Sequence, residues 1–376
     1  MTPSPPLNAV ERLLGARHGP ARILDSTLLK SWERNDVWRV RVKGGPDLPT
    51  MVIVKQWKAE PARGLDEWAA LAVLTAAGLV AAPRFLGGDA AARCFVMEDL
   101  GAGPNLESLL RSPGAGERAA SALVAIARLA GRMHVDARGL AAEFDRRRDE
   151  LAPRPLSPAA TAARGLRERG ADLAGWLEAV GEPAAAGTAD ALALLARFAG
   201  EPGDWTTVTH GDMAPGNTAL APPGWRLLDF EYAGVRPALY DALLWTLFCP
   251  FPAALVESAD RAYRETLAIA FAAARDDAAY ASAQARTAAW RMLDLLHWHS
   301  PALLGADAPW APGFGARAAV GWHLARFRVL AAASPDDPAV VPIAAAARRL
   351  ESRLVARWGP APDASALWPA FADDRL

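Results

Sequence analysis

Cysteine is scarce in this chain of 376 residues, which contains only Cys94 and Cys249. Two cysteines are too few for the disulfide framework of a small secreted domain, and their separation does not match the spacing of a zinc site. Lysine is also rare, at four residues, so arginine provides most of the positive charge. The cysteine content predicts a protein of a reducing compartment, and we expect the cytoplasm.

Long apolar runs are missing as well. Arg, Asp or Pro interrupts each apolar stretch well before the roughly 20 residues that a membrane helix needs. The segment Met1–Asn8 has three prolines and no apolar run after a basic start, which is not the pattern of a signal peptide. We therefore expect no membrane partner.

Charge of one sign is not concentrated anywhere in the sequence. The formal net charge is -1, and no basic stripe of the kind that follows nucleic-acid phosphates is present. Nucleic acid is therefore excluded as an expected partner. A hydrolase is also disfavoured, because the sequence has neither a G-x-S-x-G elbow nor an H-E-x-x-H helix.

The pattern of apolar residues divides the chain into two parts. Between Arg22 and Met97 it is mostly strand-like: Val37–Val42 alternates, Met51–Trp57 forms a further strand, and Leu65–Ala77 predicts one helix that ends at Gly78. From Leu106 onward, long helical runs dominate. The sequence predicts an α+β protein, with a sheet domain over residues 1–100 and a helical domain over residues 101–376.

Two acidic motifs interrupt the helical part. His210-Gly-Asp-Met-Ala-Pro-Gly-Asn217 places Asp212 and Asn217 five residues apart on a loop, and Asp229-Phe-Glu231 follows the apolar strand Trp225–Leu228. The second motif lies near the first if the two apolar runs that flank the loop pair as a hairpin. Oxygen ligands of this kind suit Mg²⁺, which binds through one or two carboxylates together with substrate phosphates.

These motifs, H-G-D-x-x-x-x-N and D-F-E, resemble those of the aminoglycoside phosphotransferase and choline kinase group, over roughly Leu29 to Asp241. The resemblance implies a protein-kinase-like fold of two lobes and transfer of the ATP γ-phosphoryl group to a small-molecule hydroxyl. Asp212 would accept the hydroxyl proton. Asn217 and Asp229 would hold Mg²⁺, Glu231 would help as an outer ligand, and His210 would be structural.

A possible ion pair in the first domain supports the resemblance. Lys55 shares a strand face with apolar residues, where an ammonium group needs a partner. On the next helix Glu67 lies on the core-facing stripe, because it precedes Leu71 and Leu74 by four and seven residues. In the family that the motifs resemble, a strand lysine that is paired with a helix glutamate binds the ATP phosphates. The alternative is a lysine that reaches solvent and a glutamate in the first helical turn.

The nucleotide contacts expected from the resemblance lie in two segments. The adenine would meet the segment between the lobes, through the Glu98 carbonyl and the Leu100 amide, with Met97 behind it. The phosphate-covering loop falls at Lys30–Asp36, which contains no glycine. Ser31 and Asn35 would then be its polar contacts.

The acceptor is expected to be a small molecule. Only nine residues separate Glu231 from Asp241, which leaves no room for a peptide-docking activation segment, so a protein substrate is disfavoured. Asp241 resembles the helix-start aspartate that braces the catalytic loop. Candidates for the acceptor pocket are polar and aromatic residues of the C-terminal helices, and each has a core position as its alternative: Trp245, Trp290, Asp294, His297, Trp298 and His299.

A different class of function stays open at this point. A nucleotide-binding pseudokinase that acts as an interaction module is compatible with the glycine-free loop, whereas the intact Lys55, Asp212, Asn217 and Asp229 favour an enzyme. The sequence predicts no oligomeric state.

Overall fold

The computed structural model describes residues 6–46, 48–311, 314–362 and 367–372. Internal contacts divide the chain into two compact units. The first unit contains the chain up to Asn105, together with Asp136–Arg154 and His210–Gly234. The second contains Leu106–Val135, Pro155–Thr209 and the chain from Val235 onward.

The strands and helices have the following bounds. The strands are β1 Arg22–Ser31, β2 Asn35–Lys43, β3 Met51–Trp57, β4 Phe85–Asp89, β5 Cys94–Glu98, β6 Thr206–Thr209, β7 Thr218–Ala221, β8 Gly224–Leu227, β9 Gly234–Pro237, β10 Pro309–Ala311 and β11 Phe314–Gly315. The helices are α1 Leu7–His18, α2 Pro61–Ala76, α3 Leu106–Leu110, α4 Gly116–Ala137, α5 Ala141–Leu151, α6 Pro158–Ala179, α7 Thr188–Gly200, α8 Leu239–Leu243, α9 Ala253–Leu267, α10 Asp277–Trp298, α11 Ala316–Ala332 and α12 Val341–Trp358.

A five-stranded antiparallel sheet forms the centre of the first unit, in the order β1-β2-β3-β5-β4. The alternation predicted for β2 is confirmed, since Trp38, Val40 and Val42 are buried whereas Arg41 is exposed. An antiparallel N-terminal sheet followed by a mostly helical remainder confirms the predicted α+β fold class.

Helix α1, which the sequence reading did not anticipate, covers one face of this sheet. Its Val10 and Leu14 are fully buried and belong to the same apolar cluster as Val40, Val52 and Val96. Apolar residues four apart place one side of a helix against a core, so the spacing of Val10 and Leu14 was a usable signal.

Helix α2 lies against the opposite face of the sheet and begins four residues earlier than predicted. Pro61 occupies its first turn, where the missing amide hydrogen has no helical partner to lose. Gly78 follows the helix with φ +72°, a left-handed conformation that favours glycine. Trp68 of this helix packs against Phe85, with ring centroids 5.9 Å apart, and against Trp57, at 6.3 Å.

The strands beside the acidic motifs pair differently from the expectation. β8 pairs with β7, which the sequence reading missed, and β6 pairs with β9. The hairpin register sets Thr218 opposite Leu227. The first motif therefore ends where β7 begins and the second begins where β8 ends, so the local hairpin brings the two motifs together.

The second unit is built around packed helices. Leu195, Leu293, Phe327 and Leu350 are buried members of one apolar cluster that joins α7, α10, α11 and α12. Among the described residues, none of the helices combines the length and the apolar character needed to cross a membrane.

Candidate active site

Lys55 and Glu67 form the ion pair that the sequence predicted. Lys55 lies on the central strand β3, between Val37 and Phe95 of its two neighbours, and Glu67 lies in the second turn of α2. The Lys55 Nζ is 2.5 Å from the Glu67 Oε2, and the two residues are only 6% and 1% exposed. A pair this deeply buried is retained only with good partners for both charges.

Asp229 is the second partner of Lys55, whose Nζ also donates to the Asp229 Oδ1. Burial by itself would lower the pKa of Lys55, but the Glu67 and Asp229 carboxylates outweigh it and raise that pKa. For Asp229, burial opposes ionisation, but Lys55 holds its pKa below the usual value. One ammonium group therefore faces two carboxylates, and the set of three carries a net charge of about -1 when all are ionised.

The backbone of Asp229 adopts a left-handed conformation, with φ +65°. Aspartate and asparagine tolerate this region better than other residues with a Cβ, yet it still carries strain. β8 ends at Leu227, and Leu228 and Asp229 follow it outside regular secondary structure. Strained conformations of this kind are common at functional sites.

His210 fastens the first motif to the second. It is fully buried, its Nε2 lies 2.7 Å from the Leu228 carbonyl oxygen, and its Nδ1 accepts a hydrogen bond from the Asp212 amide at 3.2 Å. These two bonds require the neutral tautomer with the proton on Nε2. The ring also packs on Phe230, with centroids 4.4 Å apart. This geometry agrees with the structural role expected for His210.

Asn217 connects the same two segments from the other side. Its Nδ2 donates to the Asp212 carbonyl oxygen at 3.0 Å and to the Asp212 Oδ2 at 3.2 Å, while the Leu228 amide donates to the Asn217 carbonyl oxygen at 2.8 Å. The structure thus brings Asp212, Asn217 and the residue before Asp229 into one connected network.

The donor chemistry of this network fits a hard cation. Because Asp212 occupies the Nδ2 of Asn217, the amide oxygen is the atom that remains for a metal ion, and Asp229 contributes a carboxylate. Oxygen donors of this type suit Mg²⁺, which keeps several waters and needs few protein ligands. In the described part of the chain, no group of three or more His, Cys, Asp or Glu side chains could hold a metal by itself.

Glu231 has partners that the sequence reading did not identify. Its Oε1 lies 3.1 Å from the Arg34 guanidinium and 3.9 Å from that of Arg63. Both arginines also donate to the Tyr232 hydroxyl, and the Arg63 guanidinium stacks on the Tyr232 ring at 4.4 Å. Burial and the Asp229 charge raise the pKa of Glu231.

A cavity of about 10 Å³, roughly one water molecule in size, lies beside these groups and is lined by Lys55, Glu67, Arg34, Arg63 and Glu231, among others. The Glu67 Oε1 is buried without a hydrogen-bond partner. Burial raises the pKa of Glu67 to about 7 against the opposing effect of Lys55.

The expected nucleotide contacts lie on the sheet. Met97 is buried in β5, Glu98 ends that strand, and Leu100 follows it. Ser31 is exposed at the end of β1, where its Oγ accepts from the Lys58 Nζ at 3.4 Å. Asn35 begins β2 and lines the same small cavity as Lys55.

In the second unit, Asp241 lies in α8, where its Oδ2 is 2.8 Å from the Nε2 of His134, a partner that the sequence did not reveal. Among the acceptor candidates, Trp245 is fully buried, as its core alternative predicted. Asp294 is bonded to Arg169 and Arg291. The rings at the end of α10 are in aromatic or polar contacts with neighbours: Trp290 with Tyr240, Trp298 with Phe248 and Trp310, His299 with Trp310, and His297 with Asp172.

Solved structures of kinases and phosphotransferases are similar to this chain. The chain is similar in structure to choline kinase LicA from Streptococcus pneumoniae, with 14% identity, coverage of 87% of this chain and 97% of that one, and a TM-score of 0.40. It is also similar to macrolide 2'-phosphotransferase MphH from Brachybacterium faecium, with 19% identity, coverage of 88% of this chain and 99% of that one, and a TM-score of 0.41. For choline kinase from Cryptosporidium parvum the identity is 12%, the coverage is 89% of this chain and 88% of that one, and the TM-score is 0.45. No curated protein sequence matches the chain.

A family model gives the decisive result. The model described as "Phosphotransferase enzyme family" matches residues 27–285, which include both acidic motifs, Lys55 and Glu67. This confirms the family resemblance and the expectation of a small-molecule kinase. The chain belongs to the phosphotransferase enzyme family.

Proposed function

We propose that the protein transfers the γ-phosphoryl group of ATP to a hydroxyl group of a small molecule, with Asp212 as the base and Mg²⁺ held by Asn217 and Asp229. The observation that carries the proposal is the network in which Asn217 binds Asp212 while Lys55 joins Glu67 to Asp229. A proton acceptor, oxygen ligands and a phosphate-binding cation are the parts that phosphoryl transfer requires.

Asp212 is positioned before a substrate arrives. Its amide donates to His210 and its Oδ2 accepts from Asn217, so its main chain and its carboxylate are both held. In the proposed reaction, Asp212 takes the proton of the acceptor hydroxyl while the hydroxyl oxygen forms a bond to the γ-phosphorus. The bond between that phosphorus and the bridging oxygen breaks, and ADP leaves with the electron pair. Catalysis then depends mainly on positioning and electrostatics.

Bound Mg²⁺ would neutralise charge on the phosphates. The Asn217 amide oxygen and the Asp229 carboxylate are the proposed ligands, with Glu231 as an outer one. Asp229 is kept ionised by Lys55, and a metal ligand must be in this form. The left-handed backbone at Asp229 fixes the direction in which this carboxylate leaves the chain.

The remaining chain contacts in the proposal serve the nucleotide. Lys55, held by Glu67, binds the phosphates. The Glu98 carbonyl and Leu100 amide bind the adenine in front of Met97, and Ser31 and Asn35 are polar neighbours of the phosphates. Residues 1–100 then bind nucleotide and residues 101–376 supply the acceptor site. A cytoplasmic location, supported by the two free cysteines, belongs to the same proposal.

ADP release in the presence of ATP and Mg²⁺ tests this function, with a panel of amino alcohols, aminoglycosides and other hydroxylated metabolites as acceptors. Asp212→Asn is expected to lower kcat by about 10²- to 10⁴-fold with ATP affinity kept, because only proton acceptance is lost. Asp25→Asn, at a side chain that is 61% exposed in the same unit, is the matched control and should keep full activity.

Two results would contradict the proposal. One is full activity in Asp212→Asn. The other is ATP binding without turnover on any acceptor, which the pseudokinase alternative predicts; that alternative is supported by the glycine-free loop at Lys30–Asp36.

A further inference from the structure

The turn between β1 and β2 lies where the phosphate-covering loop is expected, but it contains no glycine, and its Trp32 amide and Arg34 carbonyl are already hydrogen-bonded. The Trp32 amide donates to the Asn35 carbonyl at 2.9 Å, and the amides of Lys58 and Ala59 both donate to the Arg34 carbonyl, at 2.7 and 3.2 Å. A glycine-rich loop binds phosphates through free amides. This turn has no glycine, and its main chain is fastened to the segment after β3.

The side chain of Arg34 extends from this fixed backbone to the site. Its guanidinium meets the Glu231 Oε1 at 3.1 Å, and Arg63 of α2 approaches the same oxygen at 3.9 Å. Arg34, Arg63 and Lys55 all line one small cavity. Two elements of the first unit therefore direct arginines to the place where Lys55 and the acidic motif meet.

The charges of the site explain why additional cations are needed. Lys55 is already shared by Glu67 and Asp229, and Glu231 adds a third carboxylate nearby. Even with the proposed Mg²⁺ bound, the Lys55 charge is already balanced by its two carboxylates, so part of the triphosphate charge has no cation beside it. Guanidinium groups can supply this additional positive charge, because their planar fork donates two hydrogen bonds to phosphate oxygens.

Glu231 and Tyr232 hold both arginines, and Arg63 also pairs with Glu60 at 2.5 Å, yet both side chains keep part of their surface open. The side chains of Arg34 and Arg63 are 34% and 31% exposed, compared with 8% for Lys55. A guanidinium has several N–H donors, so each arginine keeps donors for a phosphate oxygen while these contacts persist. The Glu231 contact thus orients Arg34 without preventing it from binding a phosphate.

We infer that Arg34 and Arg63 form a clamp for the β- and γ-phosphates of the nucleotide, in which arginine side chains replace the backbone amides of a glycine-rich loop. Glu231 and Tyr232 hold the clamp in place until the nucleotide binds. The inference rests on the proposed function, because it takes a nucleoside triphosphate as the ligand.

Equilibrium titration with AMP, ADP and ATP in the presence of Mg²⁺ tests the clamp on the full chain. Arg34→Ala should raise the Kd of ATP by about 10- to 100-fold, the value of one charge-assisted hydrogen bond, and change the Kd of AMP by less than about twofold. Arg63→Ala should give the same selective loss. Arg34→Lys, which keeps the charge without the fork, should recover part of the affinity.

Arg41→Ala is the matched control, because Arg41 is an exposed arginine of β2 that lies 3.9 Å from Asp25. It should leave all three affinities unchanged, and AMP binding reports that each variant is folded. The inference of a clamp is contradicted if Arg34→Ala binds ATP as well as or better than the wild type, or if it loses AMP and ATP affinity equally. In either case, ADP release by the wild type would still support the proposed kinase function. A wild type that binds no ATP overturns both.

Discussion

Substitutions of Lys55 and Glu67 are expected to change stability in opposite directions, although the two residues form one ion pair. Lys55 faces two carboxylates, Glu67 and Asp229. Removing the ammonium with Lys55→Met leaves two buried acids without a counter-ion. Removing one acid with Glu67→Gln leaves a balanced pair of Lys55 and Asp229. The sign of each effect follows from this count of charges.

The magnitudes follow from burial and from the pKa of Glu67. Lys55→Met should lower the free energy of unfolding by about 3–5 kcal/mol, the usual effect of breaking a buried pair. Burial raises the pKa of Glu67 from 4.5 to about 7, so the folded protein holds this proton more tightly than the unfolded chain does. At about 1.4 kcal/mol per pKa unit, Glu67→Gln should be neutral or up to about 3 kcal/mol more stable than the wild type above pH 7.

The difference between Glu67→Gln and the wild type must also depend on pH. A carboxyl group with a raised pKa in the folded state makes the wild type lose stability as pH rises from about 4.5 to about 7. The advantage of glutamine is therefore present above pH 7 and disappears as pH falls toward 4.5, where glutamate is protonated in both states. ATP affinity should nevertheless fall in this variant, because Glu67 no longer positions the Lys55 ammonium.

Urea unfolding at pH 8 and at pH 5, with hydrogen exchange of the β3 peptide Met51–Trp57 as a local reporter, measures these effects. Glu60→Gln is the control: Glu60 pairs with Arg63 at the same 2.5 Å, but its side chain is 47% exposed. Its effect on the free energy of unfolding should stay within about 1 kcal/mol. A loss of stability in Glu67→Gln at pH 8, or no loss in Lys55→Met, would refute the charge argument.

Two further predictions concern the loop around the acidic motifs. Asp229→Gly should be about 1 kcal/mol more stable than Asp229→Ala in thermal unfolding, because both variants lose the carboxylate but only glycine adopts φ +65° without strain. Equal stabilities of the two variants would contradict backbone strain at this position. His210→Phe keeps an aromatic ring beside Phe230 but removes the hydrogen bonds to Leu228 and Asp212. Urea unfolding should show a free energy of unfolding lower by about 1–3 kcal/mol, and ADP release should slow. Unchanged activity would show that His210 does not position Asp212.

Local patterns predicted the parts of the fold that depend on short-range periodicity. The alternation in β2 and the position of Glu67 on the core-facing stripe of α2 were both readable, because strand and helix periods differ. The start of α2 was placed at Leu65 instead of Pro61, since its first turn contains no large apolar side chain. Helix α1 was missed because its buried stripe is short, with Ala9, Val10 and Leu14 as its buried residues.

The site was predictable where residues act within a motif and unpredictable where partners come from distant segments. Asp212 and Asn217 are neighbours along the chain, and their contact follows from the loop. The pairing of β8 with β7 instead of β6 was not visible, because β7 is only four residues long and its largest apolar residue, Leu220, is exposed. The contacts of Arg34 with Glu231 join residues almost 200 positions apart, and no periodicity reports them.

The most direct test of the central claim is the Mg²⁺ dependence of ATP binding by the wild type and by Asp229→Asn. We expect Mg²⁺ to tighten ATP binding by the wild type by about tenfold or more, and Asp229→Asn to lose this gain while it still binds ATP. ATP affinity that is the same with and without Mg²⁺ in the wild type, or an undiminished Mg²⁺ effect in Asp229→Asn, would contradict this claim.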